Sequence, residues 1–307
     1  MSDVVTRATA AGRGLQEPVL TWYAAHARAL PWRSDDRTPW AVMVSEFMLQ
    51  QTTVDRVQPV FEAWMRRWPT PIALASETPG EAVRAWGRLG YPRRALRLHA
   101  TAVACTARHD GQVPSSLDEL RALPGVGEYT AAAILAFAFG QRQAVLDTNV
   151  RRVHARVLDG VAHERPSATL AERHRALALL PEEPKVSATL SVAVMELGAL
   201  VCTARTPRCS ACPLADHCAW RLSGYPVWDG PPRRGQSYAG TDRQVRGLLL
   251  AVLRSSGQPV GLDDLDRAWA EPRQRARALD GLVVDGLVEP LDDGTFQLPS
   301  SHGAVAP

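Results

Sequence analysis

Through the first 225 residues, apolar positions recur at three- and four-residue spacing in short runs cut by proline and glycine, with no sustained period-two alternation. This pattern predicts an all-α segment. Helices are expected over Pro18–Ala29, Pro39–Thr53, Val54–Trp68, Pro79–Trp86, Arg93–His109, Ser116–Ala122, Tyr129–Phe139, Thr148–Asp159, Ala168–Leu180 and Lys185–Val201. Between Tyr225 and Gly240 the composition shifts to Pro, Gly, Arg and Ser, which reads as a linker over 226–240. Beyond it, Val245, Leu248, Leu249 and Val252 mark one face of a helix over Asp242–Arg254. Two more helices are expected at Leu262–Trp269 and Pro272–Asp285, followed by two short strands within 287–298 around the Asp293-Gly294 turn.

Three helices and a hairpin over 241–300 resemble a winged helix-turn-helix module; a small docking domain that touches no nucleic acid is the alternative. A chain of 307 residues has room for this module and a larger domain over 1–225. No signal-peptide run precedes Gln16 and no stretch approaches membrane-span length, so a cytoplasmic, non-membrane protein with reduced thiols is expected. The net charge of +3 says little about partners. Lys185 is the single lysine among 35 basic residues; arginine suits phosphate contacts, although a GC-rich genome gives the same bias.

Cys202, Cys209, Cys212 and Cys218 follow the spacing C-x6-C-x2-C-x5-C in a basic, proline-containing loop. Thiolates hold either iron-sulfur clusters or zinc. Structural zinc sites more often show two close pairs, whereas here only Cys209 and Cys212 are close, which favours one 4Fe-4S cluster and leaves zinc as the alternative. His217 reads as a solvated loop residue and Cys105 as a small core residue.

Three further segments carry candidate chemistry. Leu123-Pro124-Gly125-Val126-Gly127 is a glycine-rich turn leading into an apolar helix, where backbone N–H groups form an anion site; a plain helix connection looks similar. Asp147 follows one helix later at a helix start, placed either for nucleotide chemistry or merely as a cap. Glu46 lies among Val42, Met43, Phe47 and Leu49, where burial would raise its pKa and keep it protonated; a helix-surface glutamate is the commoner fate. A helix start beside Asp147 would push the two pKa values apart.

Together these residues resemble the MutY-type adenine DNA glycosylases of the helix-hairpin-helix superfamily. The resemblance runs from Leu15 to Arg221 and rests on Leu30-Pro31-Trp32-Arg33, Ser45-Glu46-x-Met48-Leu49-Gln50-Gln51-Thr52, Leu89-Gly90-Tyr91, the 123–127 turn, Leu146-Asp147-x-Asn149-Val150, Glu196-Leu197-Gly198-Ala199 and the four cysteines. It implies a mainly α fold, with a helical barrel module over 35–145 and an iron-sulfur module formed by 15–34 and 146–225. It also implies a monomer that excises adenine mispaired with 8-oxoguanine or guanine in double-stranded DNA. Glu46 would protonate adenine and Asp147 would stabilise the developing positive sugar, with Tyr129 and Asn149 positioning them. Paired acid and carboxylate groups are the general solution for glycosidic bonds. Trp32 and Arg33 would line the base pocket. Gln51 and Tyr91 would fill or wedge the stack, and Leu49, Thr52, Gly125, Val126 and Gly127 would belong to the DNA surface.

Pro92, Thr148 and Val192 depart from the family pattern, Val192 standing where many relatives have a polar residue that reads adenine. The 89 residues after Cys218 are too few and too helical for the Nudix-like domain of many relatives. The tail is therefore expected to contact DNA through Arg243, Arg246, Arg273, Arg275 and Arg277, or to dock repair-protein partners. Endonuclease III-type lyases would carry a lysine where this chain has Tyr129. A thymine mismatch glycosylase, and from another class an iron-sulfur DNA-binding redox regulator, are the remaining alternatives.

Overall fold

The computed structural model describes residues 2–230 and 238–300, with the backbone alone for residues 2–13. Along the chain it runs through α1 (Ser2–His26), a 3-10 turn at Pro31–Arg33, α2 (Pro39–Leu49), α3 (Val54–Arg67), α4 (Pro71–Ala75), α5 (Pro79–Trp86), α6 (Arg93–Arg108), α7 (Leu117–Arg121) and α8 (Glu128–Phe139). There follow α9 (Thr148–Val157), α10 (Leu170–Leu179), α11 (Pro184–Leu200), α12 (Ala219–Leu222), α13 (Asp242–Ser255), α14 (Leu262–Asp266) and α15 (Pro272–Val284). Two short antiparallel strands close the described chain, β1 (Glu289–Pro290) and β2 (Phe296–Gln297). The fold is mainly α, as the apolar periodicity predicts, with the small sheet expected near the C-terminus. The linker expected over 226–240 includes residues 231–237, which lie outside the described residues.

Two helices depart from their expected bounds by four residues or more, and two short helices are unpredicted. The first continues through Pro18 rather than starting there, because one lost backbone donor does not stop a helix whose next residue, Val19, is buried. The second stops at Leu49 instead of Thr53, because Gln51 takes a φ of 55°, outside helical geometry. The five-residue α4 and the four-residue α12 are unpredicted; each is too short for a period to register.

The described residues form two compact units, one of residues 2–35, 115–117 and 127–230, the other of 36–114, 118–126 and 238–300. In the first, the cysteine unit, Val19 of α1, Val153 and Val157 of α9, and Leu190, Ala193 and Leu197 of α11 share one core with buried Cys202, Leu214 and Cys218. Alanines 132, 133 and 136 of α8 pack with Val145 and Ala188. Small side chains let these backbones approach closely.

The second unit is built around tryptophans. Every α2 residue from Trp40 to Met48 is buried, so this helix is a core element on all sides. Trp64 meets Trp68 and Trp86 edge-on at 4.6 and 5.8 Å between centroids, a preferred aromatic geometry. The C-terminal helices belong to the same unit. Val260 bridges Phe296 beside the β1–β2 pair, so a small sheet follows the three C-terminal helices. Its seat is specific. The Arg84 guanidinium donates to the Leu253, Arg254 and Ser256 carbonyls at the end of α13, groups that a helix terminus leaves orphaned. Arg254 returns a bond to the Val83 carbonyl at 3.0 Å, and the Gly80 amide donates to the Pro299 carbonyl at 2.8 Å. A Cβ on Gly80 would stand 2.7 Å from that oxygen, so only glycine fits.

Candidate active site

Glu46 lies in the middle of α2 and is buried, in the tryptophan unit. The end of its helix is organised by Arg94, which sequence reasoning missed. The buried Arg94 guanidinium donates to the carbonyls of Phe47 at 2.8 Å, Met48 at 3.2 Å and Gln50, to Thr52 Oγ1 at 3.1 Å and to the Gly90 carbonyl at 3.1 Å. Burial lowers its pKa to about 10, with the neighbouring Tyr91 opposing. One planar cation thus ties the C-terminus of the Glu46 helix to the Gln51 turn and the Tyr91 turn. A lysine has no such fork. The signal was available: Arg94 shares a helical face with Leu98, Thr101 and Cys105, a charge in an apolar stripe.

Gln51 and Tyr91, the expected stack-entering residues, are both exposed and both have positive φ, 55° and 47°. Non-glycine residues in that region are strained, and such strain clusters at functional sites. Leu49 is half-buried, and Thr52 is buried, its hydroxyl donating to the Leu89 carbonyl at 3.2 Å. Gly125 takes a φ of 77°, and a Cβ there would stand 2.8 Å from Arg97 Cβ and 3.1 Å from Phe47. Val126 is buried beneath this turn. Gly127 is the N-cap of α8 and supplies no side chain to it, so the N–H groups of the first turn keep their anion-binding capacity.

In the cysteine unit, Asp147 is indeed the N-cap of α9, and the arrangement goes beyond a cap. Its Oδ1 accepts the Val150 amide at 2.6 Å and its Oδ2 accepts Asn149 Nδ2 at 2.7 Å. Desolvation pushes the carboxyl pKa up, against these bonds and the Arg152 charge. The expectation that the helix start would lower Asp147 is therefore corrected: burial outweighs the amide bonds. Asn149 is fixed in turn, its Oδ1 accepting Arg152 Nη2 at 2.7 Å. The same arginine bonds the Gly198 carbonyl at 2.7 Å and the Cys202 carbonyl at 2.8 Å. Tyr129 is half-buried against the alanine core of α8.

Trp32 is buried, and Arg33 points Nη2 at Glu196 at 3.0 Å while its Nη1 is buried without a hydrogen-bond partner. Glu196 is fully buried and also accepts Arg28 through Nε and Nη2, each at 2.7 Å. Although burial alone would raise its pKa, the two arginines hold it at about 2. An orphaned buried donor in a native structure calls for a partner.

The four cysteines surround one cavity lined also by Val153, Val157 and Trp220. Cys202 and Cys218 are buried, Cys209 and Cys212 half-buried, and burial pushes Cys212 to about 11 as a free thiol. Arg156 donates to Cys202 Sγ at 3.3 Å and to the Thr203 and Ala204 carbonyls, and lies over the Trp220 ring. Among the described residues no three His, Cys, Asp or Glu side chains converge as a single-ion site. Four thiols around one shared cavity fit the iron-sulfur cluster that their spacing favours. His217 is exposed and Cys105 buried, as expected.

Comparison with known proteins gives matches to the model of the HhH-GPD superfamily base excision DNA repair proteins over residues 44–178 and to the iron-sulfur binding domain of endonuclease III over 202–218. The adenine DNA glycosylase of Mycobacterium tuberculosis (strain CDC 1551 / Oshkosh) is 53% identical over 92% of each chain. A thymine-DNA glycosylase of Aeropyrum pernix is 36% identical over 67% of this chain and 93% of its own. The solved structure of a thermostable thymine-DNA glycosylase superposes with a TM-score of 0.62 at 26% identity, covering 69% of this chain and 97% of that one.

Proposed function

The chain belongs to the adenine DNA glycosylases of the HhH-GPD superfamily, enzymes of base excision repair with an endonuclease III-type 4Fe-4S domain, and from that premise we propose how it acts and on which pair. The substrate is adenine opposite 8-oxoguanine or guanine in duplex DNA, and the reaction is hydrolysis of its N-glycosidic bond without strand cleavage. The observation that carries this reading is the pair of prepared carboxyl groups: Glu46 buried in an apolar helix, and Asp147 held through both oxygens by Val150 and Asn149.

Flipping adenine out of the stack takes a few kcal/mol, roughly, and Gln51 and Tyr91 on their strained turns offset it by filling the space. Trp32 lines the pocket, and the orphaned Arg33 Nη1 donates to an acceptor on the base. Glu46 delivers a proton to a ring nitrogen of the leaving base. Asp147 stabilises the oxocarbenium-like sugar, and a water completes the hydrolysis. Desolvation that disfavours the Asp147 charge in the free enzyme means that a positive sugar is the partner that relieves it. Cys202, Cys209, Cys212 and Cys218 would hold the 4Fe-4S cluster, whose bound chemistry is four thiolate ligations that brace the loop, and Arg152 and Arg156 carry that order to α9.

No helix among the described residues is long and apolar enough to cross a membrane; we place the enzyme in the cytoplasm, acting as a monomer. The test is incubation with duplexes carrying adenine opposite 8-oxoguanine, adenine opposite guanine, or thymine opposite guanine, followed by alkali. Strand breaks at adenine are expected. Breaks confined to the thymine duplex would overturn the substrate assignment.

A further inference from the structure

The tail was expected to meet DNA through five arginines, but three of them are committed within their own domain. Arg246 pairs with Asp285, Arg275 with Asp266 at 2.6 Å, and Arg277 with Asp242 at 2.7 Å. Arg243 also reaches the Tyr91 turn. Its guanidinium carbon stands 5.7 Å from the centroid of the Tyr91 ring, against which Arg94 also lies at 5.4 Å. A guanidinium at that distance is attracted by the ring's quadrupole. A second tie lies two residues on, where Arg93 pairs at 3.3 Å with the same Asp285 that holds Arg246.

These contacts are fixed in space by α13. Its C-terminal end is locked by Arg84 and by Arg254 on Val83, while its first turn carries Arg243 to Tyr91. Fourteen helical residues make a strut of about 21 Å, so Arg243 does not drift independently of the domain's seat. Tyr91 itself needs such support. The residue is 46% exposed on a turn with φ 47°, where a side chain sweeps many attitudes unless a neighbour selects one.

We propose that the C-terminal domain is part of the base-extrusion apparatus, and that Arg243 is a positioning residue that presets the Tyr91 ring in the attitude from which it enters the duplex. This rests on the wedge role given to Tyr91 above. Arg243 touches no reacting atom; it shortens the search of the wedge for its inserted position. The domain would thereby contribute to opening the stack from the side of the turn.

The test uses the full chain and a duplex with 2-aminopurine opposite 8-oxoguanine, whose fluorescence rises on unstacking, before any bond is cleaved. Arg243→Ala is expected to slow the rise about two- to fivefold, the range that loss of one exposed cation–π contact gives. Arg243→Lys, which keeps a cation, should recover part of it. In a Tyr91→Ala background, Arg243→Ala should add nothing. Arg275→Ala, which breaks an ion pair in the same domain, should leave extrusion unchanged. Wild-type kinetics in Arg243→Ala, or an equal slowing with Tyr91 already removed, would overturn the proposal. Because extrusion is read separately from excision, absence of adenine release by the wild-type enzyme would refute the assigned reaction while leaving this measurement decisive for Arg243.

Discussion

Gly198 is the position at which a single methyl group tests the construction of the Asp147 site. It lies in α11 where that helix crosses the first turn of α9, and a Cβ built on it stands 2.7 Å from Asn149 Cβ, 2.8 Å from the Asn149 carbonyl oxygen and 2.9 Å from its carbonyl carbon. Ordinary contact begins at 3.4 Å, so Gly198→Ala forces the two helices apart by about 0.7 Å, and because two of the three atoms are backbone, no rotamer change relieves the clash. Overpacking of this kind is destabilising by about 1–3 kcal/mol. The larger effect is expected on chemistry. Asn149 bonds Asp147 at 2.7 Å, and Arg152 bonds both Asn149 and the Gly198 carbonyl at 2.7 Å, so the displacement falls on the carboxylate's own support. Misplacement by 1 Å removes about 10²-fold of rate, which puts the expected loss in single-turnover adenine excision at roughly 10- to 100-fold. Thermal denaturation run beside the kinetics separates the two effects. Gly257→Ala, with open space around its Cβ, is the neutral control. Excision within twofold of wild type, with an unchanged Tm, would refute the claim that this contact places Asn149.

Four other outcomes follow from the same geometry. Glu46→Gln should abolish excision while leaving mispair binding nearly intact, since the amide keeps the shape but delivers no proton; single-turnover kinetics and binding titrations read the two separately. Asp147→Asn should also abolish excision yet raise Tm at neutral pH, because it removes a charge that desolvation disfavours and keeps a competent cap. A raised carboxyl pKa stabilises the fold below its unfolded value and loses that contribution as pH rises through the folded one, so the Tm gap between variant and wild type should close on acidification. Glu196 has the opposite sign: held at about 2, it should contribute about 3 kcal/mol near neutrality, lost as pH falls from the ordinary carboxylate range toward 2, and Glu196→Gln should flatten that part of the stability–pH curve. Cys212→Ser should lose the iron-sulfur absorbance and loosen α9 through Arg152 and Arg156; stoichiometric zinc without iron in anaerobically purified wild type would refute the cluster assignment.

What the sequence made legible was whatever repeats at short range. Helix positions, the cysteine spacing and the 123–127 turn are local patterns, and the described residues carry each of them close to where it was expected. What it concealed were long-range arginine contacts. Arg94 collects carbonyls more than forty residues away, and Arg152 joins Asn149 to a loop fifty residues on, pairings that no local window displays. Asp147 failed for a related reason: its cap was readable, but the desolvation that outweighs the cap comes from surroundings assembled in space. The tail arginines illustrate the same limit, because their acidic partners Asp242, Asp266 and Asp285 are visible in the sequence while the pairings are not.

The bond between Arg28 and Glu196 spans 168 residues of chain. On the ribosome, at about 5–20 residues per second, the segment just after α1 waits roughly 8–34 seconds for its acceptor to be made. Throughout that interval the buried face around Val19 has no α11 to cover it, whereas the tryptophan helices α2–α6 are synthesised consecutively and meet almost at once. Synthesis therefore exposes a specific apolar stretch near the start of the polypeptide, and chaperone capture or proteolytic loss of nascent chains should concentrate there, so that the cellular level of this repair activity depends on translation speed across residues 29–196.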